Sequence, residues 1–227
     1  MFAGHIGAAL ALAPLERRLP AAALVAAALL PDLLLWAFIL LGWESVAIPP
    51  DFAVHHQPAF VFPCSHGLVA SLGWAAAAAA CGHGATRNAR AAALLAAAVL
   101  SHWLLDALVH RPELPLLGAS SRLVGLGVWD HMALALALES ALVLAGLALF
   151  LRGSTLARGR ALAFAILVVA LLAFTIIGMT VAPAPPSPMA MAASSLVTLL
   201  ATCGLVAWLV PPRLAGASGF ADHRLQP

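Results

Sequence analysis

The chain has 227 residues, 63% of them hydrophobic and 9% charged, with a mean hydropathy of +1.03. A soluble domain carries about 25% charged residues, so the solvent here is mostly lipid, and no stretch is polar enough to form a separate soluble domain behind a single anchor. The net charge of +2 is too small to suggest nucleic-acid binding, and Cys64, Cys81 and Cys203 show neither a CxxC pair nor zinc-type spacing, so neither a disulfide framework nor a thiolate metal site is expected.

In chain order, residues 2–15 form a short apolar helix. Its first charges, Glu16, Arg17 and Arg18, follow the apolar run instead of preceding it, unlike a signal peptide, so Met1 onward is expected to remain. A bilayer-spanning helix needs roughly 20 apolar residues. Runs of that kind predict spans at 20–43, 64–82, 91–109, 131–151, 161–182 and 189–210. Pro49-Pro50 ends the first of these, Arg-rich turns separate the middle ones, and PAPPSP at 183–188 makes a rigid turn before the last. The expected fold is all-α: a polytopic integral membrane helix bundle, one domain over 1–227, with six full spans plus the short N-terminal helix.

The arginines predict an orientation. Of the 11 basic residues, all arginine, nine lie in alternate loops: Arg17 and Arg18; Arg87 and Arg90; Arg152, Arg158 and Arg160; Arg213 and Arg224. Only Arg111 and Arg122 lie on the other side. Arg bias marks the cytoplasmic face, so 44–63, 110–130 and 183–188 are expected outside and the C-terminus inside. The absence of Lys and Tyr suggests GC-rich bacterial coding, hence a bacterial inner membrane.

Ionisable groups deep in spans are expensive and usually functional. Asp32, Asp106 and Glu139 lie well inside spans, and His5, His66, His102, His110 and His131 lie in or at the edge of them. With a helix rise of about 1.5 Å per residue, His5, Asp32, His102, Asp106 and Glu139 fall roughly 18–24 Å from the arginine-rich face. Five groups from four helices thus converge on one level. SHWLLDALVH also places His102, Asp106 and His110 at i, i+4 and i+8, on one helix face. His and Asp four apart can share a metal, or the Asp can orient the ring. His131 and Glu139 repeat the eight-residue spacing, and His66 begins its element at the outer end, so the group opens outward. Plainer readings stand beside these: a structural His102–Asp106 pair, His110 as an interfacial helix end, and His55, His56 and His83 as loop residues.

The blocks GHIGAAL (4–10), LLPDLL (29–34), SHGL (65–68) and LSHWLLDALVHRPELPLL (100–117) resemble the bacterial membrane-bound, metal-dependent hydrolase-like family. Its members carry Gly-His, Leu-Pro-Asp, His-Arg-Gly-x-Thr-His-Ser and Ser-His-x-x-x-Asp blocks. The matching positions are His5, Asp32, His66, His102 and Asp106. Val61 stands where the first His of the third block would fall, with His55 or His56 as the replacements within the preceding loop. The SHWLLDALVHRPELPL run, GLGVW at 125–129 and the Pro-rich turn also resemble a subgroup of small bacterial membrane proteins.

The resemblance and the residues together imply a membrane-embedded hydrolase. His5, Asp32, His66, His102 and Asp106 would hold a divalent metal, zinc first and manganese or iron next. Glu139 or Asp130 would act as general base. The partners would be membrane lipid and a small-molecule or lipid-linked ester or phosphoester, reached from the outer leaflet. Three alternatives stay open: a proton-coupled transporter or channel using Asp32, Asp106 and Glu139, a b-type haem protein, and a structural protein.

Overall fold

The computed structural model describes residues 1–212; Arg213, His223 and Arg224, and with them the expected C-terminal location, lie outside the described residues. The first helix, α1 (Phe2–Leu12), continues through a 3-10 turn over Ala13–Leu15. Next come α2 (Ala21–Ala28) and α3 (Leu30–Leu40). A loop follows with β1 (Ser45–Ala47), a short α4 (Phe52–His55) and β2 (Ala59–Val61). Then α5 (Leu68–Thr86) and α6 (Ala89–Val109) form a hairpin. A second loop carries β3 (Leu114–Pro115), β4 (Leu123–Val124) and a 3-10 turn over Val128–His131. The chain then runs through α7 (Met132–Gly153), α8 (Arg158–Thr180) and α9 (Pro188–Leu209).

Five helices among the described residues are long and apolar enough to cross a membrane: α5, α6, α7 with its leading turn, α8 and α9. The run at 20–43 is two helices, α2 and α3, which pass the same test only as a pair bent by 50°. The break has a local cause. Pro31 has no N–H to give the preceding turn, and its ring crowds that turn. Asp32 thereby lies in the first turn of α3, where the helix dipole favours a carboxylate. The expected span at 64–82 is shifted to Leu68–Thr86, because residues 63–67 are bound into the preceding loop. Two small antiparallel ribbons, β1–β2 and β3–β4, lie in the loops and were not expected in an all-α chain.

The loops at 41–67 and 110–131 meet at one end of the bundle. Gln57 Nε2 donates to the Trp129 carbonyl at 3.0 Å and the Val69 N–H to Leu116 at 3.1 Å. At the opposite end Glu16 accepts from Asn88 Nδ2 at 2.9 Å. Glu16 also takes the Arg18 backbone N–H at 3.0 Å, the main reason its carboxyl is held below its usual range. Asn88 caps α6 by accepting from the Arg90 and Ala91 N–H groups.

The buried core runs around α1. Ala3, Gly4, His5, Ile6, Gly7, Ala9 and Leu10 are all buried, against α7, α2 and α6. α1 and α7 run in the same direction at close range. A Cβ on Gly7 would come within 2.7 Å of the Leu142 carbonyl oxygen, and one on Gly146 would collide with the Gly7 carbonyl. Small residues let helix backbones approach this closely. The 11 residues of α1 rise about 16 Å, too short to cross a hydrocarbon core of about 30 Å. Its N-terminal end therefore stops among the other helices.

Candidate metal centre

α6 builds the base of the site. His102 and Asp106 lie one turn apart on its buried face, with His102 Nε2 3.1 Å from Asp106 Oδ2. His66, just ahead of α5, brings its Nε2 to 3.0 Å from His102 Nε2 and 3.4 Å from Asp106 Oδ2. Asp32 Oδ1 lies 3.5 Å from His66 Nε2 and 3.7 Å from His102 Nε2. α1 adds His5, whose ring stacks on His102 with centroids 3.7 Å apart. His5 Nε2 is 3.2 Å from Asp106 Oδ1, close but not aligned for a hydrogen bond, and neither ring nitrogen has a hydrogen-bond partner. The Met1 amino group lies 3.3 Å from the same Oδ1.

The outer hydrogen bonds fix which atoms face inward. His102 Nδ1 is 2.7 Å from the Ala28 carbonyl, which can only accept, so Nδ1 carries the proton. This carbonyl belongs to the turn opened by Pro31. His66 Nδ1 is 2.8 Å from Ser65 Oγ. The Ser65 hydroxyl is committed as donor to Glu44 Oε2 at 2.7 Å, so it accepts from His66 Nδ1–H. Glu44, buried, also accepts the Cys64 and Ser65 N–H groups at 2.7 and 2.8 Å. With both rings neutral, His66 and His102 turn bare Nε2 lone pairs toward each other at 3.0 Å, beside two carboxylates.

This donor set fits a small cation. Two lone pairs at that distance repel unless a proton or a metal ion lies between them. Two bonds of 2.0–2.1 Å at a tetrahedral zinc would hold nitrogens about 3.3 Å apart. Two overlapping groups, His5–Asp32–His102 and His66–His102–Asp106, each bring ligand atoms within 4.8 Å of one another. These buried groups could hold a metal ion, and the two buried ring nitrogens of His5, without a hydrogen-bond partner, are placed for a ligand to complete.

All five residues expected as ligands thus come together. Glu139 is also buried, accepting the Gly4 N–H on Oε1 at 2.9 Å, and lines the same cavity. Asp130 lies elsewhere, half exposed and bonded to Arg111 Nε at 2.7 Å. His131 is exposed at the start of α7, outside the cluster. His110 ends α6 and is buried: its Nδ1 is 2.6 Å from Glu113 Oε1 and its Nε2 3.8 Å from Asp106 Oδ2. His55 is exposed near Asp51, while His56 is buried and lines the cavity. Glu44, Ser65, Glu113 and the Ala28 carbonyl carry no signal in the sequence, since each works through a fold-dependent contact.

A cavity of about 540 Å³ reaches the cluster, touching Asp32, His66, Asp106, His110 and Glu139. The chain matches no family model, and comparison with curated proteins and with solved structures gives no match.

Proposed function

We propose that the protein is a membrane-embedded, metal-dependent hydrolase that cleaves a lipid-linked ester or phosphoester. The observation that carries this is the pair of histidines whose Nε2 atoms converge at 3.0 Å between Asp32 and Asp106. His66, His102, Asp106, Asp32 and His5 are the proposed ligands. A divalent ion held there supplies a Lewis acid and a bound water acidic enough to ionise near neutral pH. The Ala28 carbonyl and the Ser65–Glu44 pair hold the two rings in the ligating tautomer. Glu139 Oε1 is engaged by the Gly4 N–H, leaving Oε2 to take a proton at the cavity wall. Asp130 is tied to Arg111, so the base role goes to Glu139.

The bent α2–α3 pair is read as a sixth span, with the membrane being a bacterial inner membrane. The arginine bias then puts the loops around the cavity on the outer side and the substrate in the outer leaflet. Purified wild type is expected to retain a divalent metal, and His102→Ala and Asp32→Asn to lose it while staying folded. A stably folded, metal-free wild type with the same melting behaviour as His102→Ala overturns the reading.

One observation favours a second reading, proton-coupled transport. Glu113, His110 and Asp106 form a chain from the loop end into the cluster. Flux in proteoliposomes that depends on Asp32 without any bound metal selects it.

A further inference from the structure

The cavity has a polar and an apolar lining. The polar part is the cluster, together with His56. His56 is nine-tenths buried, and its Nδ1 has no hydrogen-bond partner. It has left-handed backbone angles (φ 53°), unusual for a residue with a side chain, as the cap of the short α4. An unpaired buried donor or acceptor is costly, so this imidazole is held where a ligand would complete it.

Another part of the lining comes from α8 and α9. Phe174, Gly178 and Met179 line it from α8, and Met191, Thr198 and Leu199 from α9. Three of the four hydroxyls in this wall are spent on their own helices, Thr175 on Leu171, Ser194 on Met191 and Thr198 on Ser194, and Ser195 is the fourth. Those three ask little of a ligand, so the wall is mostly apolar beside the Ser195 hydroxyl. α8 packs mainly on α7 and α1, and α9 on α3 and α2, so these consecutive helices are only loosely apposed. Both are long enough to cross the bilayer. A gap between two such helices faces hydrocarbon, and only a molecule with its own hydrocarbon part can fill it without losing apolar contacts.

We propose that the cavity takes a membrane lipid that enters sideways between α8 and α9, its acyl chain against Phe174, Met179, Met191 and Leu199 and its polar head against His56. This rests on the proposed hydrolase in naming the lipid as substrate, but the binding itself is independent of metal. His56 is a substrate-positioning residue in this arrangement, placed to accept or donate one hydrogen bond to the head group.

The test uses the full chain in nanodiscs of phosphatidylethanolamine and phosphatidylglycerol, doped with phosphatidylglycerol bearing a diazirine on one acyl chain. After photolysis, adducts are mapped by peptide mass spectrometry. Adducts are expected to concentrate on 174–179 and 191–199, severalfold above the exposed face of α5 around Leu72. Gly178→Trp is expected to abolish that excess. A Cβ added at Gly178, in the cavity lining, meets nothing within 4 Å, so the substitution starts into open space. His56→Ala should weaken retention of the probe by about tenfold, the loss of one buried hydrogen bond. Adducts spread evenly over all lipid-facing helices, or an excess unmoved by Gly178→Trp, overturn the proposal. Metal content is read on the same samples. Metal-free protein with concentrated adducts refutes the hydrolase and keeps the lipid site; metal-bound protein with even adducts does the reverse.

Discussion

Glu44 and Ser65 hold the Nδ1 edge of His66, so that the neutral ring presents a bare Nε2, and this makes the chemistry of a loop carboxylate decisive. Glu44 only accepts: two N–H groups on Oε1 and the Ser65 hydroxyl on Oε2. In Glu44→Gln the two N–H donors select the remaining carbonyl oxygen, so the new NH₂ faces Ser65 and donates to it. The Ser65 hydroxyl then turns its proton toward His66 Nδ1, which forces the proton onto Nε2 and removes it as a ligand. Metal affinity is expected to fall by about 10–100-fold, measured by competition with a chromophoric chelator, with little change in fold. Wild-type affinity in Glu44→Gln shows that this chain of hydrogen bonds does not set the tautomer. Asp32, His102 and Asp106 were legible in the sequence because charge inside an apolar run is conspicuous. Glu44 was not: it follows Trp43 at the edge of a loop that reads as solvated, and only the fold turns it inward. His131 misled for the opposite reason. Its spacing from Glu139 implies a shared face only if one helix covers both, and α7 begins after it, at Met132.

At the scale of elements, the site depends on a short helix sliding close beside a long one. α1 brings in His5 and the Gly4 N–H that holds Glu139, and its approach to α7 is set by Gly7 and Gly146. In Gly146→Leu the side chain must displace the Gly7 carbonyl, so α1 shifts as a unit. Overpacking of this kind costs about 1–3 kcal/mol or more. We expect a lower melting temperature in detergent together with reduced metal content. Gly84→Leu, on the open face of α5 where an added Cβ meets nothing within 4 Å, should change neither. Equal effects of the two would remove α1 packing as the cause. The existence of the apolar helices was legible, because length and composition alone reveal them. The bend between α2 and α3 was not. A proline inside an apolar run is tolerated in membrane helices, and the run gives no sign that the carbonyl freed near Pro31 is taken by His102, 74 residues away.

At the scale of the whole molecule, the arginines are the feature from which topology follows. Among the described residues, Arg17, Arg18, Arg87, Arg90, Arg152, Arg158 and Arg160 belong to the turns and helix ends at one end of the bundle, and Arg111 and Arg122 to the loops around the cavity. Long cationic side chains at one end resist translocation, and that resistance fixes orientation during insertion. The cavity end should then face away from the cytoplasm. In a Cys64→Ser background, which removes an exposed native thiol at that end, His55→Cys and Ser120→Cys are expected to react with an impermeant maleimide added to intact spheroplasts. Arg87→Cys should react only after the membrane is opened. The reverse pattern would place the cavity on the cytoplasmic side. That inversion leaves the cluster's geometry intact, because no distance within it depends on which way the bundle faces. It changes only the leaflet from which a lipid reaches the gap between α8 and α9, so labelling and photo-crosslinking together separate what the fold does from where it does it.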